Sequence, residues 1–194
     1  MSTSSSTKKD VSVVLLHEGM HDKQGKIVTT SLTLIDVHDI ARSSRTFGVT
    51  NCFIAHPSAT LQRLARTLKG HWETGFGATY NPNRSDALSR LEIVCSLDDA
   101  ISKIHIRTGK LPTVIATSSR RGPGKLDYNE LRTKIESTDN PYLIMIGTGH
   151  GMCPELFARA NVILAPIEST EEYNFLSCRS ATAIILDRLL GLRS

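Results

Sequence analysis

Six short runs rich in β-branched residues recur along this chain: VSVVLL from Val11, NCFIAH from Asn51, LEIVC from Leu91, PTVIAT from Pro112, YLIMIG from Tyr142 and NVILA from Asn161. Each is apolar without alternation, the pattern of a strand buried on both faces. Between them, apolar residues recur at helical spacing over 36–47, 58–69, 97–107, 127–136 and a short piece at 154–160. Strands that alternate with helices are joined by crossovers, so the pattern predicts an α/β fold, a mostly parallel sheet with helices on both faces. At 194 residues the chain can bury a sizeable core. Its length favours one domain, expected over 11–194, after a disordered polar tail at 1–10, MSTSSSTKKD.

That tail has no apolar core segment, so neither a signal peptide nor a membrane anchor is expected. No apolar run approaches the roughly 20 residues needed to span a bilayer. Cys52, Cys95, Cys153 and Cys178 are widely spaced and form no C-x-x-C pair. They read as reduced thiols of a cytoplasmic protein, with no metal-ligand spacing. The net charge of +4 permits a polyanionic partner without requiring one.

Ligands of doubly wound folds sit at the carboxyl ends of the strands. Three successive runs there lead into SSRRGPGK, GTGHGM and PIESTEEYNFLS, small or hydroxyl-rich segments that let backbone groups reach a ligand. Gly147, Gly149 and Gly151 alternate, but a dinucleotide fingerprint needs its third glycine where Met152 stands, and no Gly-Lys-Ser/Thr of a phosphate loop follows. Glu168 lies about 20 residues downstream, where a ribose-binding acid belongs. A tight turn in which glycine supplies positive φ is the other reading. Residues 74–85, TGFGATYNPNRS, read as an irregular loop.

In DVHDIARSSRTFGV, Asp36 is expected to cap a helix with Asp39 at its third position. Val37, Ile40, Ala41, Ser44 and Phe47 form its apolar stripe, while His38, Arg42 and Arg45 share the other side. Paired guanidiniums suit phosphate, although a solvated face with local Asp39–Arg42 pairing reads equally well. Arg120, Arg121 and Lys125 form a second basic cluster at the presumed ligand edge; a solvated loop is one reading, and its place past a strand end favours contact with a polyanion, expected of Arg42, Arg120, Arg121 and Lys125. In the last stretch Asn174 or Ser177 caps a helix that Gly191 ends. Its apolar residues, Ala181, Ile184, Ile185 and Leu189 widened by Ala183, Leu186 and Leu190, suggest burial on two sides, by the core and by a second subunit or a loop.

Together these stretches resemble the SPOUT class of S-adenosylmethionine-dependent RNA methyltransferases. DIARSSRTFGV is similar to the SpoU-type first motif, with Arg45 at the functional arginine and Asp39 where asparagine is usual. LIMIGTGHGM is similar to the Gly-rich second motif, with Gly149 replacing its acid. APIESTEEYNFLSCRSATAIILDRLLG is similar to the third, with Asn174 and Ser177 at matching positions. The order also resembles a SPOUT branch of RNA methyltransferase domains related to the tRNA guanine-N1 methyltransferases.

The resemblance implies a trefoil knot near the C-terminus and a homodimer packed through the last helix. It implies S-adenosylmethionine as cofactor, S-adenosylhomocysteine as product, and an RNA substrate, tRNA or rRNA, methylated at a base nitrogen or ribose 2'-hydroxyl. Cofactor contacts are expected from Thr117, from Gly147, Thr148, Gly149 and Gly151, from Leu164, Pro166 and Ile167, and from Tyr173, Asn174, Leu176 and Ser177. Arg45 is the expected catalytic residue, positioning phosphate or polarising the acceptor, since a guanidinium is a poor base. Asp39 or His38 is the expected proton carrier. The alternatives are a catalytically silent RNA-binding domain on the same fold, or a nicotinamide or other nucleotide-binding enzyme.

Overall fold

A computed structural model of the chain describes residues 9–193. Strand β1 (Val11–Leu16) leads into a hairpin of β2 (Met20–His21) and β3 (Ile27–Val28), then α1 (Leu34–Thr46) and β4 (Cys52–Ala55). Three helices follow, α2 (Ala59–Glu73), α3 (Phe76–Tyr80) and α4 (Pro82–Ser89), before β5 (Leu91–Val94) and α5 (Leu97–Thr108). The second half runs β6 (Thr113–Ala116), α6 (Tyr128–Ser137), β7 (Tyr142–Gly147), α7 (Pro154–Phe157), β8 (Val162–Ile163) and α8 (Cys178–Leu190).

Six strands form one sheet in the order β5-β4-β1-β7-β6-β8, every neighbouring pair parallel. Central β1 is buried at all six positions, which is why its sequence is a continuous apolar run rather than an alternating one. Val13, Leu15, Ile54 and Ile144 face a layer made by α1, α6 and α8 together with Ala65 of α2 and Leu88 of α4. Val14, Phe53, Leu143 and Met145 face the other layer, where Ala100 and Ile104 of α5 and Leu156 and Phe157 of α7 close the core.

Several boundaries differ from the sequence expectation. Helix α1 begins two residues earlier than predicted, with Thr33 at its N-cap. Asp36 is therefore not the cap but the third helical residue, accepting a hydrogen bond from the Thr33 hydroxyl. Residues 74–85 are not an irregular loop. Asn81 caps α4 by accepting from the Arg84 N–H, and Pro82 supplies the first helical residue, where its missing N–H costs nothing. The nearby Gly75 serves close packing: a Cβ there would lie 2.8 Å from the His71 carbonyl oxygen. Of the expected tail, residues 1–8 lie outside the described residues. Lys9 and Asp10 are half-buried, Lys9 donating to the Thr138 carbonyl at 3.0 Å and Asp10 paired with Arg107 at 2.6 Å.

The four thiols are free, as the spacing predicts. No helix among the described residues is long and apolar enough to cross a membrane, and no group of three or more His, Cys, Asp or Glu residues among them could hold a metal ion.

Candidate functional site

The sheet order places β7, β6 and β8 side by side, so the segments leaving their carboxyl ends meet. They enclose a cavity of about 540 Å³, within the range of small-molecule sites. Thr117, Ser118 and Arg120 come from the segment after β6, residues 147–152 from that after β7, and Ala165, Ile167, Glu172, Asn174, Phe175 and Leu176 from the stretch before α8. Tyr128 of α6 and Cys178, Ala181 and Ile185 of α8 complete the wall.

The glycine turn is held from behind by the β2–β3 hairpin. His21 donates its N–H to the Gly151 carbonyl at 2.8 Å, His150 donates back to the His21 carbonyl at 3.0 Å, and Cys153 donates to Gly19 at 2.8 Å. Gly149 adopts φ +59°, and a Cβ there would lie 3.0 Å from the His21 carbonyl oxygen. Glycine is thus required twice over, by conformation and by space. Below, the Thr148 hydroxyl lies 2.5 Å from that of Thr30 and donates to the Leu16 carbonyl at 2.9 Å.

The segment before α8 is ordered by its own polar groups. Asn174 does not cap the helix; its amide donates to the Ile167 carbonyl at 3.0 Å and closes the loop on itself. Ser177 is the cap, accepting from the Ser180 N–H at 3.2 Å. The Cys178 thiol donates to the Gly147 carbonyl at 3.4 Å, joining the third segment to the second, and burial pushes this thiol up. Arg121 pairs with Glu168 and joins the first segment to the third.

Of the expected cofactor residues, the structure brings together Thr117, Gly147, Thr148, Gly149, Gly151, Ile167, Asn174 and Leu176. It places four elsewhere. Leu164 and Pro166 are buried and lie behind the wall, Leu164 wholly within the core. Tyr173 is 73% exposed and meets Phe175 edge-on, ring centroids 5.3 Å apart. Ser177 is occupied by helix capping. Arg120, expected to touch RNA, lines the cavity instead, and Lys125 folds back to donate to the Arg120 carbonyl. Glu172, Phe175 and Ala165 were missed although they lie in the stretch already singled out. Tyr128 carried no local signal, since only the return of α6 brings it to the site. Among the described lining residues Glu172 is the one carboxylate and Arg120 the one guanidinium.

The charged face of α1 lies apart from this cavity. Arg179 of α8 pairs with Asp36 at 2.9 Å and approaches Asp39 at 3.7 Å, the same distance that separates Asp39 from Arg42. Asp39, Arg42 and Arg179 border an open groove of about 430 Å³ between α1 and α8, which includes Phe47 and Ala183. Arg45 lines neither space; its Nε donates to Asp86 of α4 at 2.6 Å. His38 meets Trp72 edge-on with centroids 5.7 Å apart, and its Nδ1 is buried without a partner. Burial first, then the Arg84 guanidinium, lowers its pKa below the ordinary 6.5.

A buried histidine pair at the ends of β1 and β4 carried no sequence signal. His17 Nδ1 lies 3.0 Å from the Ala55 carbonyl oxygen. His56 accepts the Ser58 N–H at Nδ1, which leaves Nε2 to donate to the Thr30 carbonyl at 3.1 Å. Burial lowers the His17 pKa, with His56 acting in the same direction and the Ala55 and Asp36 contacts opposing it.

A family model described as SAM-dependent RNA methyltransferase matches residues 10–191. The chain is 42% identical over 177 residues to a tRNA (guanine-N(1)-)-methyltransferase of Oleidesulfovibrio alaskensis, covering 91% of this chain but only 41% of that protein. It is 36% identical over 183 residues to an uncharacterized protein of Aquifex aeolicus, covering 94% and 89%. Among solved structures, a probable methylase family protein from Haemophilus influenzae superposes with a TM-score of 0.63 at 16% identity, over 94% of this chain and 66% of that one. The SpoU methyltransferase AviRb from Streptomyces viridochromogenes, in complex with AdoMet, superposes with a TM-score of 0.54 at 14% identity, over 95% and 58%. These likenesses show a shared fold.

Proposed function

The chain belongs to the SAM-dependent RNA methyltransferase family whose model it matches, and from that membership and the cavity we propose that it transfers a methyl group from S-adenosylmethionine to RNA in the cytoplasm. The observation that carries this reading is the cavity itself: three strand-end segments converge on one space whose wall combines glycines and small side chains with apolar groups, one carboxylate and one guanidinium. Its size and its mixed lining suit a nucleoside joined to an amino acid. In this reading Arg120 would hold the cofactor's carboxylate and Glu172 its ammonium, while Ile167, Leu176 and Ile185 would give apolar cover to the adenine. Cofactor contact is thus assigned to the walls and not to Leu164, Pro166, Tyr173 or Ser177.

The cofactor supplies an electrophilic methyl group on a sulfonium. The chain's own task is to bring the acceptor into line and take its proton. Arg45 is the positioning group for the RNA, and His38, whose neutral form persists to lower pH than a free imidazole's, is the first choice of proton acceptor, with Asp39 the second. These side chains lie on α1, away from the cavity of their own subunit. We therefore assign them to the cavity of a second copy, in a homodimer packed through α8 and the groove between α1 and α8. The half-buried Phe47 and Ala183, which line that groove, support the assignment.

We read the segments after β6, β7 and β8 as the loops of a C-terminal trefoil knot. Support comes from Leu126, which pairs with Leu164 so that the loop leaving β6 returns alongside the one leaving β8. The Oleidesulfovibrio relative, of which this chain spans about two fifths, makes tRNA the first substrate to try.

Calorimetry with S-adenosylmethionine, followed by transfer of tritiated methyl into unfractionated tRNA and mass spectrometry of the nucleosides, tests the reading. A methylated nucleoside supports it and identifies the acceptor atom. RNA binding without cofactor binding or transfer overturns it in favour of a silent RNA-binding domain.

A further inference from the structure

The surface formed by α2, α3 and α4 is not used by the mechanism above. Phe76 and Tyr80, at the two ends of α3, are each 74% exposed. Their rings stack on one another, centroids 5.9 Å apart and planes 24° from parallel. Two large aromatic faces held side by side in solvent are unusual for a short helix that could have turned them inward.

The helix that carries them is firmly seated. Gly77 lies against the indole of Trp72, close enough that a Cβ would stand 2.6 Å from Cε3. The Arg84 guanidinium covers the same indole at 4.4 Å from its centroid, and His71 and His38 meet its edges. Trp72 thereby links the aromatic pair to the face of α1 that bears Arg42 and Arg45.

The surroundings are basic. Residues 59–90 contain five Lys or Arg against two Asp or Glu, an excess of three in a chain of net charge +4. Both acids are already engaged, Glu73 with Lys69 at 2.8 Å and Asp86 with Arg45 at 2.6 Å. Among the described residues Arg63, Arg66, Arg84 and Arg90 make no salt bridge. Open aromatic faces on a stretch with excess positive charge, with Arg84 held on the adjoining Trp72, fit a strand of unpaired nucleotides, whose bases stack while the phosphates meet the cations.

We infer that Phe76 and Tyr80 form a base-stacking platform for single-stranded RNA, on the surface continuous with the Arg45 face of α1. This rests on the reading of the chain as an RNA methyltransferase and adds to it a substrate contact remote from the cofactor cavity of its own subunit. A second copy of the chain covering the two rings is the competing occupant.

The test uses the full chain and a twelve-nucleotide oligo(A) ribonucleotide, with binding followed by anisotropy across a salt series. The Phe76→Ala/Tyr80→Ala variant should bind about 5- to 150-fold more weakly for one lost stacked base, with the salt slope unchanged because stacking releases no counterions. Phe76→Tyr/Tyr80→Phe should bind as the parent does. The emission of Trp72, the chain's one tryptophan, should shift on RNA addition in the parent and not in the alanine variant. Equal affinity of parent and alanine variant overturns the inference, as does a drop in oligomer mass in sedimentation that accounts for the whole loss. Cofactor affinity, measured on both proteins, separates the two levels: a parent that binds oligo(A) but no S-adenosylmethionine sinks the methyltransferase reading and leaves the platform standing.

Discussion

Gly149→Ala is the sharpest perturbation of the cavity. The residue sits at φ +59°, with space bounded by the His21 carbonyl oxygen at 3.0 Å and the Thr30 methyl at 3.1 Å from an added Cβ. The left-handed conformation costs an L-residue about 1–2 kcal/mol. Overpacking against a backbone oxygen that is itself tied into the hairpin adds about 1–3 kcal/mol. The lower entropy of the unfolded alanine chain opposes these by about 0.4–1 kcal/mol. The net loss is roughly 2–4 kcal/mol, a fall in the urea midpoint of about 1–2 M at a slope near 2 kcal/mol/M. Gly25→Ala is the control, since Gly25 has φ +79° and no atom within 4 Å of an added Cβ. It carries the conformational cost alone, about 1 kcal/mol after the entropy correction. The two variants differ in a second respect. Saturating S-adenosylmethionine, at about 100 times its dissociation constant, should stabilise the parent and Gly25→Ala by about 2.7 kcal/mol. It should do little for Gly149→Ala, whose turn must move. Equal urea midpoints for the two variants, or full cofactor stabilisation of Gly149→Ala, would refute the reasoning from close packing.

Other measurements bear on the remaining assignments. Arg120→Ala should raise the dissociation constant of S-adenosylmethionine about tenfold or more through the lost charge-assisted contact, and calorimetry that finds no change removes Arg120 from the site. Arg45→Ala should abolish methyl transfer while calorimetry finds cofactor affinity unaltered; loss of both contradicts the division of roles. Burial holds His17 below its ordinary 6.5, so its contribution to stability is complete above that pH and is lost as pH falls below it, through the depressed folded value. Urea midpoints at pH 7.5 and 5.5 should therefore differ less in His17→Gln than in the parent, and parallel pH dependence in the two proteins speaks against the assignment. Cys52, fully buried with its thiol pushed up to about 12, should react with a thiol reagent only on unfolding, well after exposed Cys95, as peptide mapping of the labelled protein can establish.

The parallel sheet was legible because a strand buried on both faces has no choice but to be apolar throughout, and six such runs between helical segments leave few alternatives. The meeting of the three glycine- and hydroxyl-rich segments was legible too, since parallel strands send their carboxyl ends to one edge. Where chain geometry rather than burial decides, the reading failed. The β2–β3 hairpin has strands of two residues each, too short to show a period, yet it is what holds the glycine turn. The glycines of 74–85 were read as part of an irregular loop when they serve close packing, Gly75 against the His71 backbone and Gly77 against Trp72.

Within the stretch that opens on Pro166, residue type alone could not separate wall from support. Glu172 and Phe175 line the cavity, Tyr173 between them in the chain does not, and Asn174 and Ser177 spend their polar groups on the loop and the helix cap. An irregular segment has no repeat that relates neighbouring side chains, so each direction depends on contacts made by distant residues. The sequence by itself determined the layers, the strand directions and the family, because these follow from burial pattern and from motif order along the chain. Only the tertiary structure decided which side chains share the cavity, that Arg45 faces Asp86 instead, and that two aromatic rings of α3 stand open to solvent, because those outcomes depend on the packing of segments far apart in the chain.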